Sequence, residues 1–559
     1  MLDSNVVDNS KRTSLAAMAG VGLAVPLMLS SKDTKAALNP DSGVVNVVSD
    51  YGASGDGVTD DTTAFQNAIN TGKTVVVPNN KTYKLTTLIP HSSGHIRLRP
   101  EAYSSDFPVL EPVNLGTDIC MDWSSNVGAT RICDVEGIAF HGWSVVARST
   151  SGSIVVNFNR NKIYNGGAKG ILFDCNVTEA NVHYNQIYNL DNSTNSTQAI
   201  TLGERTGTRD VSTGMFFVSN NVIKGLNTNK TGGGECHGII TRGFYAKIFS
   251  NHIEDVSSPN NVGNGAEAIY CNTRFGEITH NTIVDGGSGQ GCITVKGNKR
   301  GETIDAAYAI EIAFNKIEGT GQNCSVGIGI FTGDTYCHHN IIEGVQYIDG
   351  YTIGDASGIF VNPGNVNNVR VEHNELYNIQ TTKGINFRGR GNKNSCSWNR
   401  IHYVGHVSVI AQASGIWMEL NGDSYQFRIE GNDINYADSI LTSASNVVGI
   451  KWVATTYSHS GLSIKNNTIN FSETTAANKQ GIVIDGDSAQ EFVNAHVIDN
   501  IVLGNYSSQW NGAPSSGTYT ECIEMLNSWN TPTGSGWNTV TAGAQDSGGT
   551  GYRLLRMSN

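Results

Sequence analysis

Proline is scarce in this chain, 11 residues in 559, and only 15% of residues are charged. With 64 glycines, that composition suits many short strands joined by tight turns. A basic field is absent: 37 Lys and Arg face 49 Asp and Glu, for a net charge of −12. This excludes nucleic acid as the partner, because phosphate binding wants positive charge. Cysteine is sparse too. The ten cysteines show no CxxC spacing and are too thinly spread to form a disulfide framework. Residues such as Cys271 and Cys292 fall at or beside inward strand positions, so the cysteines read as reduced core thiols, suited to folding in a cytoplasm. The acidic residues lack the dense alternation of a cation-binding repeat, and neither a metal nor a cofactor is expected.

Long hydrophobic runs are also missing. The apolar stretch from Thr13 to Leu29 contains Gly20, Gly22 and Pro26 and is too short for a comfortable membrane span, so no stable membrane insertion is expected. Lys11-Arg12 precede it and Thr34-Lys35-Ala36-Ala37 follow it. The segment reads either as a secretory signal or as a retained peptide that docks the protein onto a larger assembly.

What the chain has in abundance is repetition. A pattern of Asn-x-[Ile/Leu/Val] recurs twelve times, with its Asn at 161, 185, 221, 251, 281, 315, 340, 374, 399, 432, 467 and 500, at gaps of 24 to 36 residues. A unit repeated at that period cannot bury its apolar face alone, so successive units must stack into a solenoid. A chain of 559 residues is too long for one compact core, yet a solenoid grows by addition.

Short alternating runs precede each Asn, and a second run follows, usually opening with Gly or Ala and then Ile, as in Gly238-Ile239, Ala268-Ile269 and Gly415-Ile416. Period-2 alternation in runs this short means strands. Two or three strands per repeat without intervening helices predict an all-β parallel β-helix. In that arrangement each Asn occupies the same bend of its coil and bonds to the Asn above and below. This role is structural rather than chemical.

Residues 50–69, with Asp56-Gly57-Val58-Thr59-Asp60-Asp61 followed by Ala64, Phe65, Ala68 and Ile69, then Val75-Val76-Val77-Pro78 and Thr82-Tyr83, resemble the opening of the pectate-lyase-like right-handed β-helix superfamily. That superfamily includes bacteriophage tailspike depolymerases and polygalacturonase-like enzymes. Locally, Thr59 or Asp60 is expected to N-cap a helix, with Asp61 in its first turn and its apolar stripe closing the open end of the solenoid. The resemblance by motif covers residues 46 to about 90. It implies a right-handed single-stranded parallel β-helix, homotrimeric as in the tailspikes. The expected organisation is a peptide at 1–43, a cap with the first coils at 44–110, the β-helix at 111–503, and a capping or trimer-interlocking segment at 504–559.

Aligning the second strands yields an outward column of residues stacked at about 4.8 Å per coil. It includes Arg242, Tyr270, Asn272, Lys296, Phe360, Arg388, Trp417 and Glu419. Rings stack on sugar faces, and planar polar groups bond hydroxyls or uronates. These residues, with Arg274 in the neighbouring loop, are the expected substrate-binding set. Long insertions at Gly225–His237, Asp255–Glu267 and 297–307 are expected to wall one groove. Glycoside hydrolysis needs two carboxyl groups about 5 to 9.5 Å apart. Glu235 and Glu267 fit that window on adjacent coils and are the expected catalytic pair, with His237 beside them and Asp334 in reach. Asp334, Asp355, Glu419 with Asp423, and Asp485 with Asp487 are rivals. A lyase, with Tyr270, His237 or Lys296 as base, is the mechanistic alternative.

Through the resemblance, the expected function is a virion tailspike that binds and cleaves bacterial surface polysaccharide, hydrolysis ranking above elimination. It would attach to phage tail or baseplate proteins through its N-terminal peptide. A secreted polysaccharide lyase or hydrolase and a non-catalytic glycan-binding spike are the alternatives.

Overall fold

The computed structural model describes residues 43–529, apart from 116–117, 126–130, 205–213, 231–232, 261–264, 288, 298–308, 321–323, 347–355, 363–366, 390, 403–411, 421–423, 437–445, 455–458, 473, 477, 487–490, 494–495, 505–507, 512–517, 521–522 and 526–527. The N-terminal peptide, residues 530–559, and the rival carboxylates Asp355, Asp423 and Asp487 therefore lie outside the described residues, as does the side chain of Asp485. No helix among the described residues is long and apolar enough to cross a membrane.

The chain winds as a parallel β-helix with three strands per coil. One coil runs through Ala309–Ala313, bends at Phe314 and Asn315, and continues through Lys316–Glu318 and a loop into Val326–Phe331. Each strand pairs in parallel with its counterpart one coil on: Ala309–Ala313 with Thr335–His338, Lys316–Glu318 with Ile341–Glu343, and Val326–Phe331 with Ser357–Val361. Inward positions are aliphatic, with Ile312, Ile317, Ile328 and Ile330 all fully buried. On the third strand of each coil the isoleucines lie in register from Ile171 and Ile200 to Ile450 and Ile482. Burial of each such side chain contributes about 1.5–3 kcal/mol. The residue before each isoleucine is small because the next coil is close: a Cβ at Gly238 would sit 2.5 Å from the carbonyl oxygen of Ala268.

All twelve asparagines lie in one buried ladder. The Nδ2 of each donates to the Oδ1 of the next at 2.9–3.3 Å, from Asn161 to Asn500. The backbone N–H donates to the same oxygen, as from Asn281 to Asn315 at 3.0 Å, and Nδ2 also reaches a carbonyl of the coil below, Ile248 in this case. The residue before every ladder asparagine adopts positive φ, including Tyr184, Phe314 and Trp398. Outside the bend these side chains form a second column. The rings of His280, Phe314, His339, His373 and Trp398 stack with centroids 5.1 to 6.4 Å apart. Trp398 ends the stack over Gly431, whose φ of 67° belongs to the same bend.

The helix Thr62–Ile69 packs Phe65, Ala68 and Ile69 inward, with Phe65 edge-on to Tyr83. Its capping differs from expectation. Asp61, not Thr59 or Asp60, holds the N-cap position, and its side chain makes no capping bond. Its buried carboxylate instead accepts from the backbone N–H groups of Ser54 and Gly55, while Asp60 accepts from Thr62 N. Asp56 takes the N–H groups of Val58 and Thr59, and these bonds, the one from Thr59 above all, pull its carboxyl down to about 2. The acidic motif is thus spent on ordering its own loop. The nine described cysteines are buried free thiols.

Two outcomes follow from this packing. Asn315→Ala removes the acceptor of two Asn281 donors, and unsatisfied buried groups cost about 1–3 kcal/mol each. Urea unfolding should report a loss on the order of 3 kcal/mol, against little change for the exposed Asn229→Ala. Burial pushes the His183 imidazole down to about 4 from an ordinary 6.5. The unfolded chain therefore takes up a proton that the folded chain refuses, and stability falls as pH drops from about 6.5 to about 4. Melting temperature measured across that window should fall for the wild type and fall less for His183→Asn.

Candidate functional site

The outer side of the isoleucine-bearing strands carries the candidate site. Two of these strands, Cys236–Phe249 and Ala266–Thr279, run unbroken around the corner onto the next face and lie side by side in register. That register sets His237 beside Glu267, Ile240 beside Tyr270 and Arg242 beside Asn272. The Nε2 of His237 lies 2.6 Å from the Oε2 of Glu267, and both side chains are nearly inaccessible, at 6% and 4% exposed. The approach is close but not aligned as a hydrogen bond: Oε2 of Glu267 and Nδ1 of His237 are buried polar atoms without hydrogen-bond partners. Native interiors seldom leave such atoms unmatched, and where they do the group usually has work beyond folding. Asp61 makes the contrast, a buried carboxylate held by two backbone N–H groups.

Tyr270 stands over this pair with its ring edge-on to His237, the centroids 5.7 Å apart. Two cations flank it, Arg242 at 5.9 Å and Lys296 at 5.6 Å from the ring centroid, and Lys296 also lies 5.3 Å from the Phe331 ring. Tyr270, Arg242 and Lys296 are half-buried and Arg274 is exposed. The site therefore joins a buried acid–imidazole pair, a phenol and a cationic rim.

The structure also relocates several expected residues. Glu267 was expected in a loop; it lies within a strand and is buried. Glu235 remains half-buried just before its strand, its N–H bonded to Ser196 Oγ and its carbonyl accepting from Thr197 N. Register places it two residues along and one coil over from Glu267, a Cα separation of about 8 Å from the 4.8 Å coil spacing and 3.3 Å rise. Asp334 lies at the turn after Val326–Phe331 with φ 47°, where its carboxylate accepts the Asn368 amide at 2.9 Å. Asn272 is buried.

Phe360 corrects the expected exposed ring. It is 3% exposed, packs edge-on against Phe331 and joins a small cluster with Val326 and Ala356. Phe331 is the residue sequence reasoning missed. Its strand opens with Val326-Gly327-Ile328, the same Gly-Ile signal as its neighbours, and forms the coil between Ile293 and Ile359. Lys296, Phe331, Asn362, Arg388 and Glu419 stay half-buried and accessible, so the open path along the face runs through them rather than over Phe360. Arg388 and Glu419 are neighbours in register. Trp417 is half-buried, with Lys383 and Lys451 against its ring.

Comparison with known proteins adds the following. No curated protein sequence matches the chain. Among solved structures it is similar to PfbA, a surface adhesin of Streptococcus pneumoniae, at 13% identity, covering 85% of this chain and 91% of that one with a TM-score of 0.26. It is similar to the Dettilon tailspike protein at 13% identity, covering 91% and 73%, with a TM-score of 0.27. A third similarity is to the N-terminal fragment of the bacteriophage Phi29 gene product 12, at 12% identity, covering 86% and 93%, with a TM-score of 0.34. Residues 44–93 match the family model described as rhamnogalacturonase A/epimerase, pectate lyase-like. The cap and first coils of this parallel β-helix thus carry the sequence signature of the pectate-lyase-like family.

Proposed function

We propose that this protein binds and cleaves a bacterial surface polysaccharide as the homotrimeric spike of a phage tail, with Glu267 and His237 at the reacting linkage. The observation that carries the reading is the buried His237–Glu267 pair, with its unmatched polar atoms, at the foot of a face lined by Tyr270, Arg242 and Lys296. One member of such a pair can deliver a proton to a glycosidic oxygen as the bond breaks. Glu235, one coil away, is the second carboxylate of this reading, the base that activates a water at the far side of the sugar. The pectate-lyase-like signature at residues 44–93 supports a glycan as the substrate class. Attachment to the tail would fall to the N-terminal peptide.

Elimination is the second reading, favoured by one observation. Two cations flank the Tyr270 ring, an arrangement suited to a uronate, and its phenol is the base that would abstract the proton next to the uronate carboxylate. A non-catalytic adhesin would use the same face for binding alone.

Glu267→Gln keeps shape and volume, so the protein should fold and assemble normally while reducing-end release from host polysaccharide drops about a hundredfold to ten-thousandfold. Glu235→Gln should do the same under hydrolysis. Under elimination Tyr270→Phe takes over the loss, and the product shows the ultraviolet absorbance of an unsaturated uronate. Wild-type cleavage by Glu267→Gln would place the chemistry elsewhere on the chain.

A further inference from the structure

Two thiols meet on the coils that follow Glu267. Cys292 and Cys324 are 32 residues apart in sequence, and their Sγ atoms lie 2.9 Å from each other. Both side chains are buried, at 0% and 1% exposed. Other thiols of the solenoid meet oxygen or nitrogen instead: Cys271 meets the Thr273 hydroxyl, and Cys396 the Asn399 amide. The pair sits at the root of a glycine-rich strap. Gly286, Gly287, Gly289 and Gly291 lie between the strand Thr282–Val284 and Cys292, which leads into the strand Ile293–Lys296. The strap lies against Glu267. The Gly289 N–H donates to the Ala266 carbonyl at 2.8 Å, and the Gln290 N–H lies 3.5 Å from Glu267 Oε1. A Cβ at Gly289 would sit 2.9 Å from the Glu267 carboxyl carbon, so glycine is what permits the approach. Cys292 closes the strap: its thiol donates to the Gly287 carbonyl at 3.8 Å and its N–H to the Val326 carbonyl at 2.9 Å. Gly287 in turn bridges in register to Cys324. Both thiols therefore hold the same end of the segment that covers Glu267.

From this contact we infer that Cys292 and Cys324 are a redox pair: under oxidising conditions they form a disulfide across two coils that pins the strap over Glu267. The oxidant is a small disulfide such as oxidised glutathione. One cysteine thiolate attacks it, forming a mixed disulfide and releasing a glutathione thiolate; the second cysteine thiolate then displaces the other glutathione. Two cysteine protons pass to the two glutathione thiolates, so two thiols are oxidised and one disulfide is reduced. In the folded chain this exchange is slow. The neighbouring Cys292 thiol and burial push the Cys324 thiol well above its ordinary range, and the thiolate is the form that attacks. The bond therefore forms as the coils close and, once buried, resists reduction. A chain folded in a reducing cytoplasm keeps two thiols and a strap that can lift from Glu267. One folded in an oxidising compartment keeps the strap fixed. The cross-link stands on geometry alone, and its control of a reaction rests on the glycan-cleaving reading.

The test compares the full chain produced in a reducing cytoplasm with the full chain produced in an oxidising periplasm. Peptide mapping without reductant should find Cys292 linked to Cys324 in the periplasmic protein and both as free thiols in the cytoplasmic one. Hydrogen exchange at Gly289 and Gln290 should be about tenfold slower in the linked protein, because the strap opens less often. The linked protein should also melt at a higher temperature, since the bond restricts the unfolded chain. Cys324→Ala should make the two preparations alike in exchange and melting. Cys271→Ala, a buried thiol outside the pair, should leave their difference intact. Under the glycan-cleaving reading, reducing-end release should be about tenfold slower for the linked protein, and Cys324→Ala should erase that difference. Free thiols at both positions after periplasmic folding, or a link from either to a different cysteine, overturn the redox pair. A Cys292–Cys324 link with unchanged exchange on the strap overturns the pinning. Slowed strap exchange with equal release leaves the redox pair standing and counts against Glu267 as the reacting group, as does wild-type cleavage by Glu267→Gln.

Discussion

The structure depends on a single buried amide being satisfied by its own copy one coil away. An asparagine in the bend of a lone coil would bury a donor pair and an acceptor with no water to meet them, a cost of the order of 1–3 kcal/mol per group. Stacked from Asn161 to Asn500, each amide donates to the next and to the strand below it, so every coil completes its neighbour. Stability is then a sum of interface terms along one dimension. The ladder also sets the geometry outside it. Positive φ at the preceding residue is costly for Phe314 or Trp398, and the ring stack they join on the outer corner offsets part of that strain.

With the interior devoted to repetition, chemistry is confined to outward positions, and the informative ones are those that break the surface rule. Outward charges on the described solenoid include solvated pairs, such as Lys247 with Glu277 and Lys224 with Glu254. Exposed pairs of this kind contribute little to stability. Glu267 and His237 are instead outward yet nearly fully covered. A covered charge is costly unless it is matched, and an imperfect match is what a functional group requires and a folding core avoids.

The same logic separates the partnered acids by role. Asp61 is saturated by backbone donors within its own loop, and Glu372 is gripped by Arg370 and Ser395. Glu311 is held by the His338 imidazole, which keeps its carboxyl below the usual range. Each of these carboxylates accepts hydrogen bonds from its neighbours. Glu267 alone among them keeps a buried oxygen without a hydrogen bond.

The asparagine period, the Gly-Ile openings and the alternation of short runs determined the coil, its two or three strands and the inward isoleucines, and the structure fixed the number at three. These are local signals, because the side-chain period of a strand is a property of its own residues. The outward column was legible as a column for the same reason, and Tyr270, Lys296 and Trp417 lie where alternation put them. Tertiary structure alone decided what covers each outward side chain and which residues meet across coils. Phe360 is outward by alternation and buried by Phe331, which belongs to a coil 31 residues earlier by register, Ile328 to Ile359. Glu267 meets His237 rather than Glu235 because the register of two long strands, not sequence spacing, selects the partner. Coil length varies from 24 to 36 residues through loops that carry no periodic signal, so contacts between coils exist only once the chain has wound.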